Sequence, residues 1–214
     1  MARTDAEELL QDTLAVYQGL SSYQDEGFVV IDGKGEEQLP RTAFETHFLR
    51  PSFFHFKFES PHPHAALSHV VTTSICGFDG LRAYLWTMHY DAPPKLEEYE
   101  DVVMAVAGAT GISSGSAHTI AQLLLPGFNE RVFLSLANPV LGQDEMVEGM
   151  LCKSVRGKLP RAEIAVTLFI DTGTMTIRKL RTEFEEFTSD EVRRNIRLNE
   201  PIEKSIFVCP DGEI

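Results

Sequence analysis

Apolar residues recur along the chain with two different periods, and the switches between them mark out its elements. Ala6, Leu9, Leu10, Thr13, Leu14, Tyr17 and Leu20 fall at helical spacing behind Thr4 and Glu7, a capping-box pair. They predict an opening helix stopped by Gly19 and Ser21-Ser22. From Tyr23 to Tyr90 the period drops to two. Strands are predicted over 23–32, 42–49, 52–59, 68–76 and 81–89, with turns at Asp32-Gly33-Lys34-Gly35, Arg50-Pro51 and Gly77-Phe78-Asp79-Gly80. Phe44, Thr46 and Phe48 share one face of their strand; Phe54, Phe56 and Phe58 share one face of the next, with His55 and Lys57 opposite.

After Pro93-Pro94 the helical period returns. Leu96, Tyr99, Val102, Val103 and Val106 predict one helix, with Glu97, Glu98, Glu100 and Asp101 in its first turns, where the helix dipole favours anions. A second helix is expected over 113–125, stopped by Pro126-Gly127, and a short helical turn over 133–136. Alternation resumes over 147–155, 162–171 and 176–187, and 205–209 reads as a short edge strand. Consecutive strands with short connections point to an antiparallel meander rather than βαβ units. No linker, repeat or low-complexity tract divides the chain. A single α+β domain over 1–214 is the expectation.

Charge narrows the function. Nineteen Lys and Arg against 32 Asp and Glu leave a net charge of −13, the wrong sign for neutralising phosphates, so nucleic acid and anionic lipid surfaces are not expected partners. No run approaches the ~20 apolar residues of a membrane span. The acidic start after Met1 lacks the apolar stretch of a secretory signal, which leaves two alternatives: retention where the protein is made, or a signal already removed. Cys76, Cys152 and Cys209, odd in number and far apart, read as buried thiols rather than disulfide or zinc partners.

Motifs with catalytic associations have simpler structural readings. Gly111-Ile112-Ser113-Ser114-Gly115 matches the nucleophile elbow G-x-S-x-G, but only His118 follows Ser113 among the seven histidines, so the order of a hydrolase triad is missing. The glycines of Gly108-Ala109-Thr110-Gly111 read as a helix-to-helix connection, not a dinucleotide turn. His62-Pro63-His64, with His55 and His69 nearby, lacks a convergent fourth ligand and reads as loop histidines. No catalytic residue, metal or cofactor is expected. Arg193-Arg194-Asn195-Ile196-Arg197 lies beside Glu183, Glu185, Glu186, Asp190 and Glu191. Such a run forms a self-compensating solvated face, or a partner-docking patch led by Arg193, Arg194 and Arg197.

Fourteen Phe against one Trp and five Tyr is the strongest compositional signal. Alternating Phe is how a sheet buries a face. A strongly curved sheet with few helices also leaves an apolar concavity suited to a hydrophobic guest. Candidate lining residues are Phe44, Phe48, Phe54, Phe56, Phe58, Leu85, Leu168 and Ile170.

The same segments resemble a family of bacterial proteins of unknown function allied to the LolA-like lipoprotein carriers. The likeness is carried by Ser22-Tyr23-Gln24-Asp25-Glu26-Gly27 after the leading helix and by Phe44-Glu45-Thr46-His47-Phe48-Leu49-Arg50-Pro51. Phe78-Asp79-Gly80 before a strand ending in Trp86, and Leu168-Phe169-Ile170-Asp171 leading into Ile177-Arg178-Lys179, complete it. The resemblance implies an unclosed antiparallel half-barrel whose concave face is covered by helices and accepts lipids, acyl chains or lipoprotein tails. It further implies an envelope protein, periplasmic or secreted once a signal is removed; a true start at Met1 implies the cytoplasm instead. No position maps to the arginine that LolA carries on its sheet interior, and no lipobox cysteine lies near the start. The expected function is non-enzymatic binding of a hydrophobic small molecule or lipid, with an envelope protein as a further partner. The alternative is a filled scaffold that docks a protein and holds no ligand.

Overall fold

Thr4 begins the first helix as its sequence demands: its hydroxyl accepts from the Glu7 amide, and the Glu7 carboxylate accepts from the Thr4 amide at 2.8 Å. The computed structural model describes residues 4–33, 40–62, 67, 70–128, 132–160 and 163–210. The chain start at Met1, the expected turn residues Lys34 and Gly35, and Pro63, His64, Ser68, His69 and Ala162 lie outside the described residues. Helix α1 (Asp5–Gly19) buries Ala6, Leu9, Leu10, Thr13 and Tyr17. Arg50 closes its C-terminal end, donating from Nε to the Leu20 carbonyl (2.7 Å) and from Nη2 to the Gln18 carbonyl (2.8 Å). A cation there meets the negative end of the helix dipole.

A meander follows: β1 (Ser22–Gly33), β2 (Thr42–Leu49), β3 (Phe53–Pro61), β4 (Val71–Phe78), β5 (Ala83–Met88) and β6 (Lys95–Tyr99). Two helices, α2 (Val102–Thr110) and α3 (Ser116–Leu124), and a 3₁₀ turn at Val132–Leu134 lead to the second set of strands. These are β7 (Ala137–Leu141), β8 (Glu145–Val147), β9 (Met150–Lys158), β10 (Ala165–Asp171), β11 (Thr176–Glu183) and β12 (Phe187–Leu198). All pair antiparallel in the order β6-β5-β4-β3-β2-β1-β12-β11-β10-β9-β7, with β8 on β9. The end strands do not meet, so the molecule is an open, curved α+β sheet with helices on its inner, concave face.

Several expectations need correction. Residues 95–99 are strand, not helix: Leu96 and Tyr99, three apart, suit one helical face, but β5 offers Trp86 and Ala83 as cross-strand partners and the two side chains pack on opposite faces. The helix starts only after Asp101, whose carboxylate accepts from the Met104 amide at 2.9 Å. The expected strand 147–155 is split by a hairpin turn at Glu148 and Gly149, both left-handed (φ 48° and 80°). The expected edge strand 205–209 is a 3₁₀ turn at Lys204–Phe207 that packs Phe207 on Phe53 across the outer face. The expected strand 176–187 ends at Glu183, and Arg193–Arg197, read as a charged face, belong to a full central strand over Phe187–Leu198.

The inner face is built in rows. Phe44 pairs with Phe58, Thr46 with Phe56 and Phe48 with Phe54 across β2–β3. Val166, Leu168 and Ile170 face the same core from β10. Helix α2 lies over β4–β6, α1 over β7 and β11, and α3 packs against both helices. Leu9 and Leu10 of α1, Val106 of α2, and Ile120, Leu123 and Leu124 of α3 join the strand residues in one continuous apolar cluster.

Candidate functional site

The eight predicted lining residues come together: Phe44, Phe48, Phe54, Phe56, Phe58, Leu85, Leu168 and Ile170 are all buried in the cluster between sheet and helices. Phe44 stacks on Phe56 with centroids 5.5 Å apart. Among the described residues the apolar layer between these rings and helices α2 and α3 is packed.

At the middle of this layer, where β1 meets β12, sits a group of buried charges. Arg193 is 1% exposed. The expectation that it belongs to a docking patch is therefore corrected: alternation on β12 turns Arg193 and Glu191 inward, while Arg194 and Arg197 remain at the surface. The sheet interior thus carries an arginine that no sequence position was expected to supply. Its Nη1 donates to Asp25 Oδ2 (2.5 Å) and Thr46 Oγ1 (3.4 Å), its Nε to Glu191 Oε1 (2.7 Å), and its Nη2 to the Ser116 carbonyl (3.0 Å). Nη2 also lies against Glu191. Tyr23 Oη donates to Asp25 at 2.6 Å, and Thr119 Oγ1 donates to Glu191 Oε2 at 2.7 Å. Ser116 and Thr119 belong to α3, so these bonds tie the covering helix to the sheet.

Room for the ring beneath the guanidinium comes from Gly27, opposite both Arg193 and Phe44. A Cβ there would meet the Phe44 ring at 2.3 Å and the Val192 carbonyl at 2.2 Å. Without it, the Phe44 ring lies under Arg193, 4.7 Å from guanidinium carbon to centroid. Burial pushes the Glu191 carboxyl up against the pull of Arg193. Burial also works against the Arg193 charge, but Asp25 and Glu191 hold it above its ordinary value. Two carboxyl groups thus share one guanidinium, with Asp25 Oδ1 lacking a hydrogen-bond partner among the described residues.

Beside this set a cleft of about 140 Å³ opens between the start of α3, the Val132–Leu134 turn and the inner side of β11–β12. Its apolar walls are Phe133, Leu159, Leu180 and Phe184; Ser114, Thr119, Thr182 and Ser189 add hydroxyls, and Glu191 lies at its polar side. None of the four wall residues is among the predicted lining. A second groove of about 170 Å³ is lined chiefly by Glu26, Glu45, Glu59, Lys57 and Arg194 and offers little to a hydrophobe.

The other candidate motifs carry structure. Ser113 is buried; its hydroxyl donates to the Thr110 carbonyl (3.3 Å) and accepts from the Ala117 amide (3.2 Å), while His118 packs on Phe128 with centroids 5.1 Å apart. His55 faces His47 across β2–β3 on the outer face, and burial, then His47 and Lys57, push it down to about 4. Among the described residues, no group of three His, Cys, Asp or Glu could hold a metal ion. Cys76, Cys152 and Cys209 are buried free thiols.

No family model and no curated protein sequence matches the chain. Solved structures do. LprF from Mycobacterium bovis superposes with a TM-score of 0.55 at 14% identity, over 96% of this chain and 97% of that one. The Mycobacterium tuberculosis lipoprotein LppX gives 0.54 at 12% identity, over 94% and 99%. These likenesses establish a shared fold. A LolA superfamily protein from Nitrosomonas europaea also matches, over 97% of this chain and 99% of that one, with a TM-score of 0.41 at 9% identity.

Proposed function

We propose that the protein is a non-enzymatic binding or carrier protein for a hydrophobic ligand, a lipid or acyl chain, in the bacterial cell envelope. The carrying observation is the continuous apolar layer between the concave sheet and its helices, reached at one end by a cleft with apolar walls. The fold shared with LppX, described as a lipoprotein, supports the compartment. The cleft is smaller than the ~300–1,000 Å³ of ordinary ligand sites, so on this reading the packed arrangement is the closed form. Admission of a chain requires α3 to move off the sheet. The left-handed residues Ser114 (φ 53°) and Gly115 (φ 88°) just before it provide a natural pivot. Each methylene then buried contributes about 0.8 kcal/mol.

Native mass spectrometry of the purified protein, with titration of a fluorescent acyl ester, tests this reading. A co-purified or saturably bound guest is expected, and Leu159→Trp, which fills the half-buried wall of the cleft, weakens uptake. No guest and no saturation would contradict it.

The packed phenylalanine rows favour a second reading, a filled scaffold that docks a protein partner. Its surface would be the exposed Arg194 and Arg197 without Arg193. It predicts salt-sensitive partner binding, lost on charge reversal of Arg194.

A further inference from the structure

The cleft reaches Glu191, which bonds Arg193, and Arg193 bonds Asp25 and lies over Phe44, so a guest running from the cleft to the phenylalanine rows passes these buried charges. Sheet residues alone engage every nitrogen of the Arg193 guanidinium, Nε and Nη2 on Glu191 and Nη1 on Asp25 and Thr46, so it stays occupied when α3 and its Ser116 carbonyl move away. A carboxylate brought by a guest therefore finds no cationic donor to answer its charge. It meets two resident carboxyl groups instead, and an unanswered charge in a buried site is strongly disfavoured.

Uncharged polar groups meet a different reception. Thr119, Thr182 and Ser189 line the cleft with hydroxyls. Among the described residues, Asp25 Oδ1, beside Arg193, accepts no hydrogen bond. Groups that donate and accept without carrying charge complement such atoms.

We infer that Glu191, backed by a fully engaged Arg193, is a specificity-determining residue that excludes ionised carboxylates. The site takes acyl chains borne on an uncharged, hydrogen-bonding head, an ester or a hydroxyl, and rejects free fatty acids. This rests on the hydrophobe-binding reading above.

Titration calorimetry of the full chain at neutral pH, with 1-monopalmitoylglycerol and palmitate below their micellar concentrations, separates the two claims. The monoglyceride is expected to bind at least about tenfold more tightly, and Glu191→Gln to narrow the gap below about threefold by admitting palmitate rather than by weakening the monoglyceride. Should Glu191→Gln fail to fold, Ser189→Lys at the half-buried rim supplies the missing counter-charge and narrows the gap from the palmitate side. Equal wild-type affinities, or a gap that both variants leave unchanged, would overturn the role of Glu191 while leaving hydrophobe binding intact. Binding of neither probe would remove both claims.

Discussion

The two flanks of the inner face are made in opposite ways. On β2–β3, phenylalanines at alternate positions bury one face, and apolar area accounts for the packing. At the β1–β12 seam the same alternation buries Asp25, Glu191 and Arg193, which gain little by burial and survive there only because each answers another. The first region tolerates change in proportion to volume. The second is most sensitive to loss of Arg193, because two buried carboxyl groups are then left without a cation.

Replacing Arg193 with Met should therefore cost about 3–5 kcal/mol, and Phe56→Ala a similar amount, about 3–5 kcal/mol. Acid distinguishes them. In Arg193→Met the buried Glu191 holds a proton more tightly folded than unfolded, so the cost of the substitution is relieved as pH falls; the cost of Phe56→Ala stays flat with pH. Urea unfolding at neutral and mildly acidic pH reads both. Gly27→Ala, at the join of the two regions, should lose about 1–3 kcal/mol, since its Cβ meets a carbonyl and the ring beneath Arg193. Arg194→Ala, one residue from Arg193 but on the solvent side, should stay within about 0.5 kcal/mol. A cost for Arg194→Ala equal to that of Arg193→Met would mean that the inward register of β12 is wrong.

The same contrast decides what could be read from sequence. Strand β2 occupies the expected span 42–49, and all eight lining residues fall in the core, because one-sided apolar alternation is the mark of a half-buried strand. Strand β12 hid because Asp190, Glu191, Arg193 and Arg194 carry no apolar period, and mixed charge usually belongs to solvent. One signal was present. Asp25 lies two residues from Tyr23, on the same buried face, and a carboxylate there requires a cation from elsewhere in the chain. The cleft left no trace because Phe133, Leu159, Leu180 and Phe184 come from separate elements and meet only in the folded sheet.

The central claim is that a guest chain lies between the phenylalanine rows and α3. Intermolecular nuclear Overhauser effects from the methylenes of bound monopalmitoylglycerol test it most directly. The account predicts contacts to the rings of Phe54, Phe56 and Phe58. Contacts confined to exposed side chains such as Met146 and Leu151 of the β8–β9 hairpin would contradict it.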